Sequence, residues 1–254
     1  MGTKTGYSKL DDLLGGGLNE GNLYFIAGRP SMGKTSFAIN IVNNLPRDEK
    51  KPVIFFSIET SEDILLNRFG SLITGVDSYN VRKGNIIESE REMIEKAKEG
   101  LKGSVVIIDE IKVWSPDLML TKCTEIMESA GTPSLIIIDY LQLMEGGDGN
   151  IAKSLEGLKD MAKDLNVPVV VLSQLSRRPE QRKNHRPQLT DIVGTEAVKE
   201  YADAVIFLYR DEYYDLKTDR PRIAEIMVSM NKQGDTGVCE LKYSPEIGGF
   251  SDIE

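Results

Sequence analysis

The sequence predicts an α/β fold, a mainly parallel twisted sheet flanked by helices with a C-terminal antiparallel hairpin. Three observations carry this. Over the first two-thirds, short continuous apolar runs alternate with stretches of helical periodicity. One strand-to-helix turn, Gly28 to Thr35, reads GRPSMGKT, so Gly28, Gly33, Lys34 and Thr35 meet the pattern G-x-x-x-x-G-K-[ST]. Near the end the alternation stops, and Ile223 to Met230 and Val238 to Tyr243 read as two strands separated by the turn-rich NKQGDTG.

Residues 3–22 form a lead-in, with Leu10, Leu13 and Leu14 at helical spacing and Gly15 to Gly17 stopping the helix. The first strand is Leu23 to Ala27. A helix runs from Gly33 to about Asn44 and ends at Pro46 and the charged stretch after it. Val53 to Ile58 is continuously apolar, as expected of a strand buried on both faces. Ser61 starts the next helix, with Glu62 and Asp63 in its first turn. Ile64, Leu65, Phe69, Leu72 and Ile73, with Arg68 among them, give that helix its apolar face. Glu88 to Leu101 is a charged amphipathic helix, and Val105 to Ile108 the third strand. Ser115, Pro116 and Asp117 open a helix to about Ser129. Leu135 to Ile138, Val167 to Leu172 and Ala204 to Tyr209 are strands four to six, with Ala152 to Leu165 a helix between the first two. No internal repeat, low-complexity segment or linker divides the chain, so residues 1–254 are expected to form a single domain with 1–22 as its lead-in.

Composition sets limits. Hydrophobic residues make up 40% and charged residues 28%, enough for a real core. No apolar run is long enough to span a membrane, and the N-terminus has no signal-peptide pattern, so a cytoplasmic protein without a membrane partner is expected. Cys123 and Cys239 are isolated and lack metal spacing, which fits a reducing compartment. One histidine, His185, leaves little scope for a histidine metal site or triad. The net charge of −9 excludes nucleic-acid binding by bulk attraction, so any such site must be a local basic patch.

The glycines of GRPSMGKT let the backbone wrap phosphates, and the following helix adds its positive dipole end. Gly28, Arg29, Pro30, Ser31, Met32, Gly33, Lys34, Thr35 and Ser36 are therefore the candidate triphosphate cradle, with Lys34 reaching the β and γ phosphates and Thr35 a Mg²⁺ ligand. In open α/β sheets ligands sit beyond the carboxyl ends of the strands. The polar residues there are Glu59 and Thr60, Asp109 and Glu110, Asp139, and Ser173 and Gln174. Glu59 suits a base that polarises a water. Asp109 and Asp139 compete for the second magnesium acid, and either could instead cap a helix. Gln174 suits a γ-phosphate sensor or a satisfied strand-end amide. The densest basic stretch, RRPEQRKNHR, follows it and holds Arg177, Arg178, Arg182, Lys183 and Arg186. It reads as a phosphate-backbone contact or a solvated loop.

In order and spacing, GRPSMGKT, FSIET, IIIDYLQLM, LNVPVVVLSQLSR and ADAVIFLYRDEYY resemble the motor domain of DnaB-type replicative DNA helicases, from about Thr5 to Tyr243. The resemblance implies a RecA-like P-loop NTPase fold and a homohexameric ring that hydrolyses ATP with Mg²⁺ at its subunit interfaces. It implies single-stranded DNA in the channel, 5′ to 3′ unwinding, and a primase or helicase loader as further partners in a nucleoid or phage replication complex. It selects Asp139 over Asp109 as the magnesium acid, makes Glu59 the base and Gln174 the sensor, and marks DIVGT, with Gly194 and Thr195, as a DNA-contacting loop.

Three departures stand out. The family's N-terminal helical domain is not in this sequence, as in an excised domain or a natural short form. The segment after Met144 is the short acidic EGGDGN rather than a longer arginine-containing loop. At the family's trans-acting Lys and Arg stand Met230 and Lys232, so Lys232 is the candidate finger, with Arg220 or Arg222 as substitutes. Lysine lacks the planar fork that arginine offers phosphoryl oxygens. A RecA-, RadA- or KaiC-like recombination or regulatory ATPase, or an assembly module with weak catalysis, is the competing expectation.

Overall fold

The structure is a computed structural model and describes residues 2–48, 50–110, 115–139 and 151–253. Its elements are α1 (Ser8–Leu13), β1 (Leu23–Gly28), α2 (Lys34–Asn44), β2 (Val53–Ser57), α3 (Glu62–Thr74), α4 (Ser78–Lys83), α5 (Glu88–Glu99), β3 (Val105–Ile108), α6 (Pro116–Ala130), β4 (Leu135–Asp139), α7 (Ile151–Leu165), β5 (Val169–Gln174), α8 (Thr195–Tyr201), β6 (Ala204–Tyr209), β7 (Ile223–Asn231), β8 (Gly237–Ser244) and β9 (Gly249–Asp252).

The strands form one nine-stranded sheet in the order β3-β2-β4-β5-β1-β6-β7-β8-β9. Pairing is parallel from β3 across to β6 and antiparallel from β6 to β9. The apolar runs read from the sequence are the parallel strands; β1, β2, β4 and β6 are buried along their whole length and β5 as far as Ser173, while the edge strand β3 is half-buried. Tyr24 and Ile26 of β1 pack into the core on one side, whereas Leu23, Phe25 and Ala27 pack into the other. Ile137 and Ile136 of β4 divide in the same way. Each buried aliphatic or phenyl side chain of this kind contributes about 1.5–3 kcal/mol by leaving water.

The C-terminal end differs from the expected hairpin by one strand. β9 pairs with β8, Tyr243 opposite Phe250, and the Asn40 side chain of α2 accepts from the Phe250 N–H at 2.9 Å. α4 and α8, two short helices, also lie outside the expected elements. Strand five extends two residues further, so Ser173 and Gln174 lie inside β5, opposite Ala27 and Gly28 of β1.

Sheet order positions the site. The chain leaves β1, crosses over β5 and β4 to β2, then returns to fill the gap. β4 and β5 therefore lie between β2 and β1, and the carboxyl ends of all four share one edge, with Ser57 opposite Asp139 and Gly28 opposite Gln174. The acidic segment 145–150 and the residues 140–144 that carry the second half of IIIDYLQLM lie outside the described residues.

Candidate functional site

A cleft of about 680 Å³ opens at that edge. The phosphate loop forms its floor. Gly33 caps α2 with φ of +102°, a left-handed conformation that favours glycine, and a Cβ there would approach Phe250 to 3.3 Å. Ser31 is also left-handed, at φ +62°. Lys34 Nζ folds back to donate to the Gly28 carbonyl at 3.0 Å and the Arg29 carbonyl at 3.3 Å. Burial pushes the Lys34 pKa down, opposed by the charges of Asp139 and Glu59. An ammonium bonded only to carbonyls is ready to exchange them for phosphate oxygens.

The Thr35 hydroxyl donates to Asp139 Oδ2 at 2.7 Å. Asp139 is 2% exposed. Burial raises its pKa, while the Thr35 hydroxyl and the Lys34 and Arg68 charges pull the other way and Glu59 adds to the rise. A buried carboxylate beside a hydroxyl, open to a cleft, is a hard-oxygen donor pair suited to Mg²⁺, which takes few protein ligands and completes its shell with water and phosphate. Among the described residues no group of three or more His, Cys, Asp or Glu side chains converges, so a site supplied wholly by protein is not built there. Asp109 does other work: its Oδ2 accepts the Glu62 N–H at 2.7 Å, at the start of α3. Ser61, expected to start that helix, makes no side-chain cap.

Glu59, Thr60 and Gln174 line the same cleft as Lys34, Thr35 and Asp139. Among the cradle candidates, Pro30, Ser31, Gly33, Lys34, Thr35 and Ser36 line it. Three do not. Met32 is 1% exposed in the core. The Arg29 side chain turns away, donating to the Leu175 carbonyl at 2.7 Å and to Glu180 at 2.6 Å. Gly28 ends β1 and contributes the carbonyl that holds Lys34.

Two further residues escape the sequence reading. Arg210 Nη2 donates to the Ser31 carbonyl at 2.8 Å, and its guanidinium lies 4.3 Å from the ring centre of Tyr243, which lines the cleft. Arg210 follows β6 as Gln174 closes β5, so the strand-end rule applied to the sixth strand would have found it. Tyr243 carried no such signal, because it lies on an antiparallel strand brought back to the loop by the sheet.

The basic stretch is used unevenly. Arg182 makes two hydrogen bonds to Asp191, at 2.6 and 2.5 Å, and Asp191 is fully buried. Arg186 grips Glu225 with both terminal nitrogens, Nη2 to Oε1 at 2.7 Å and Nη1 to Oε2. Arg178 donates to the Thr190 carbonyl at 2.7 Å. Arg182 and Arg186 therefore fasten the loop to the body, whereas Arg177, Arg178 and Lys183 keep exposed positions. Gly194, at φ +76°, is the residue before α8 and caps its start, and the Thr195 hydroxyl donates to the Leu189 and Ile192 carbonyls.

Lys232 lies outside the cleft of its own chain, its Nζ donating to the Glu200 carbonyl near the end of α8 at 2.7 Å. Arg220 and Arg222 are ion-paired too, Arg220 with Glu225 and Glu240, Arg222 with Glu246.

The family model of the DnaB-like helicase C terminal domain matches residues 2–252. The chain is 34% identical over 260 residues to a Bacillus subtilis protein named replicative DNA helicase DnaC, covering all of this chain and 57% of the relative. It is 36% identical over 258 residues to the replicative DNA helicase DnaB of Buchnera aphidicola, covering 99% and 56%. The chain thus spans little more than half the length of these relatives. Among solved structures, one described as an ATPase domain superimposes with a TM-score of 0.91 at 29% identity, covering all of this chain and 92% of that one. A DnaB-like replicative helicase, whose structure was described with its interactions with primase, gives the same TM-score and identity over 62% of its own chain.

Proposed function

The chain belongs to the DnaB-like helicase C-terminal domain family, and from that premise we propose that it is the ATP-hydrolysing motor domain of a hexameric replicative helicase, moving 5′ to 3′ on single-stranded DNA and unwinding duplex. One observation carries the reading: Thr35 and Asp139 meet at 2.7 Å in a cleft that Lys34, Glu59 and Gln174 also line. Thr35 and Asp139 are 104 positions apart in the chain. They meet because β1, β2, β4 and β5 end side by side, and no local sequence feature would gather them.

Thr35 and Asp139 fit a Mg²⁺ ion, which when bound neutralises charge on the triphosphate. Lys34 leaves the Gly28 and Arg29 carbonyls for the β and γ phosphate oxygens. The Glu59 carboxylate accepts a proton from the attacking water. Water bonds to the γ-phosphorus, the bond to the β–γ bridging oxygen breaks, and ADP leaves with that electron pair. Gln174 senses the γ-phosphate and passes its loss to the basic loop that starts three residues later. Tyr243, with Arg210 on its ring, offers a flat edge for the base. Arg177, Arg178, Lys183 and the backbone around Gly194 and Thr195 contact DNA phosphates in the channel. The domain works in the cytoplasm, at a nucleoid or phage replication complex, with a primase or loader as partner.

A second reading, a slower RecA-, RadA- or KaiC-like regulatory ATPase or an assembly module, is favoured by Met230 and by the tie of Lys232 to Glu200. Steady-state ATPase with and without single-stranded DNA, beside strand displacement on a fork with a 5′ tail, decides between them. The motor reading requires DNA-stimulated turnover that Lys34→Ala abolishes; rings with neither activity would end the helicase assignment for this chain.

A further inference from the structure

One side chain joins the phosphate loop to the basic loop. Arg29 is the second residue of GRPSMGKT, yet neither it nor Glu180 lines the cleft. Its guanidinium crosses to the segment beyond β5. There Nη1 donates to the Leu175 carbonyl at 2.7 Å, and Nε and Nη2 donate to Glu180 Oε1 at 2.9 and 2.6 Å. The Arg29 side chain is 11% exposed and that of Glu180 41%. Glu180 is the single acid in RRPEQRKNHR, and it sits in the short 3₁₀ turn Arg178–Gln181, between the exposed Arg178 and Lys183. An acid among phosphate contacts repels DNA, so its place there needs another reason.

Lys34 supplies that reason. Its Nζ rests on two carbonyls, those of Gly28 and Arg29. Both residues also hold the segment beyond β5. The Gly28 carbonyl accepts the Leu175 N–H at 3.3 Å, and the Arg29 side chain grips Leu175 and Glu180. Lys34 therefore has two alternative sets of acceptors, these carbonyls or phosphate oxygens. When phosphate takes the ammonium, both carbonyls lose their positive partner at once, and the backbone between them relaxes. Arg29 moves with that backbone, and Glu180 moves with Arg29. The movement extends further along the chain, because Leu175 bridges to Ile192 and the Ser176 N–H donates to the Asp191 carbonyl at 2.9 Å.

We propose that the Arg29–Glu180 ion pair couples triphosphate binding to the placement of the basic loop, with Glu180 a positioning residue that acts on DNA through Arg177, Arg178 and Lys183. The proposal rests on the readings of the cleft as a triphosphate site and of those three side chains as DNA contacts, and it adds a route beside Gln174. Such coupling is reciprocal: DNA changes triphosphate affinity by the same factor by which triphosphate changes DNA affinity.

The test measures the dissociation constant of a fluorescent oligothymidylate by anisotropy, on the whole 254-residue chain at one salt concentration. It is measured without nucleotide and with saturating Mg²⁺ and the non-hydrolysable triphosphate adenylyl imidodiphosphate. The ratio of the two constants is the coupling factor, about 5–150-fold in ordinary cases. Glu180→Gln should bring it about three- to fivefold closer to one, the weight of one partly exposed ion pair. Its affinity for the triphosphate without DNA, and its melting temperature, should match wild type. Arg29→Met combined with Glu180→Gln should lose no more coupling than Arg29→Met alone, since both act through one pair. A wild-type factor in Glu180→Gln, with DNA bound more tightly to the same degree in both states, would make Glu180 a bare charge near DNA and overturn the proposal. Losses that multiply in the double variant would overturn it too, as would a wild type whose factor is one. If Glu180→Gln melts well below wild type, Arg29→Met decides by the same ratio, and a wild-type factor there refutes the link. A wild type that binds no triphosphate or no DNA would bring down the readings beneath the proposal, and the proposal with them. Wild-type binding of both ligands with any of the other failures would remove the Arg29–Glu180 link only.

Discussion

Replacing Arg186 by Met separates anchoring from DNA contact in the basic loop. Glu225 is 4% exposed and sits between Arg186 and Arg220. Removing one partner of a buried ion pair costs about 3–5 kcal/mol, because the other charge is left desolvated. Two features lower that figure. Arg220 Nη1 remains 3.2 Å from Glu225 Oε1. The Arg186 side chain is 37% exposed, so solvent screens part of the pair. The expected loss is then about 2 kcal/mol, equivalent to a fall in melting temperature of about 4–8 °C for a chain of this size. Arg186→Met combined with Glu225→Leu should recover much of it, since neither charge is then buried alone. Thermal unfolding by circular dichroism measures the stability. Single-stranded DNA affinity across a salt series measures the contact, each lost phosphate contact lowering the slope by about 0.7. An unchanged melting temperature with a shallower salt slope would refute the anchoring assignment and return Arg186 to the DNA surface.

Asp139→Asn keeps the shape beside Thr35 but removes the charge that would hold Mg²⁺, so ATP turnover should fall by at least about tenfold while melting temperature holds or rises, as relief of a buried charge allows; phosphate-release assays and melting curves check both. Lys232→Arg should raise DNA-stimulated turnover if this position acts on a neighbour's γ-phosphate, and Lys232→Ala should lower it; equal rates in all three would remove the residue from catalysis. Burial pushes the thiol of Cys123 up to about 12 and that of Cys239 up to about 11, so at about pH 8 both should resist a thiol reagent in the native chain and react together after unfolding. The Thr218 and Tyr209 hydroxyls donate to Asp211 and hold its carboxyl below the usual range. That stabilisation is complete above the usual carboxylate pKa and is lost as pH falls through the lowered folded value. Wild type and Thr218→Val should therefore differ in melting temperature near neutral pH and converge in strong acid; a constant difference would contradict it.

The sequence by itself determined the parallel strands, the phosphate loop and the strand-end residues. These depend on contiguous residues: an apolar run buried on both faces cannot alternate, and GRPSMGKT carries its glycines, lysine and threonine at fixed spacing between an adjacent strand and helix. Glu59, Asp139 and Gln174 were legible for the same reason, as polar residues at strand ends. Tertiary structure decided which long side chains meet. Asp109 and Asp139 end similar strands, but β4 lies between β2 and β5, near Thr35, while β3 lies at the sheet edge beside α3. Arg182 and Arg186 read as free charges until Asp191 and Glu225 were brought to them. Arg68 read as part of an apolar face until the cleft opened on its side of α3. A charged side chain's role is set by its counter-ion, and strand order, rather than the neighbouring residues in the chain, chooses that counter-ion.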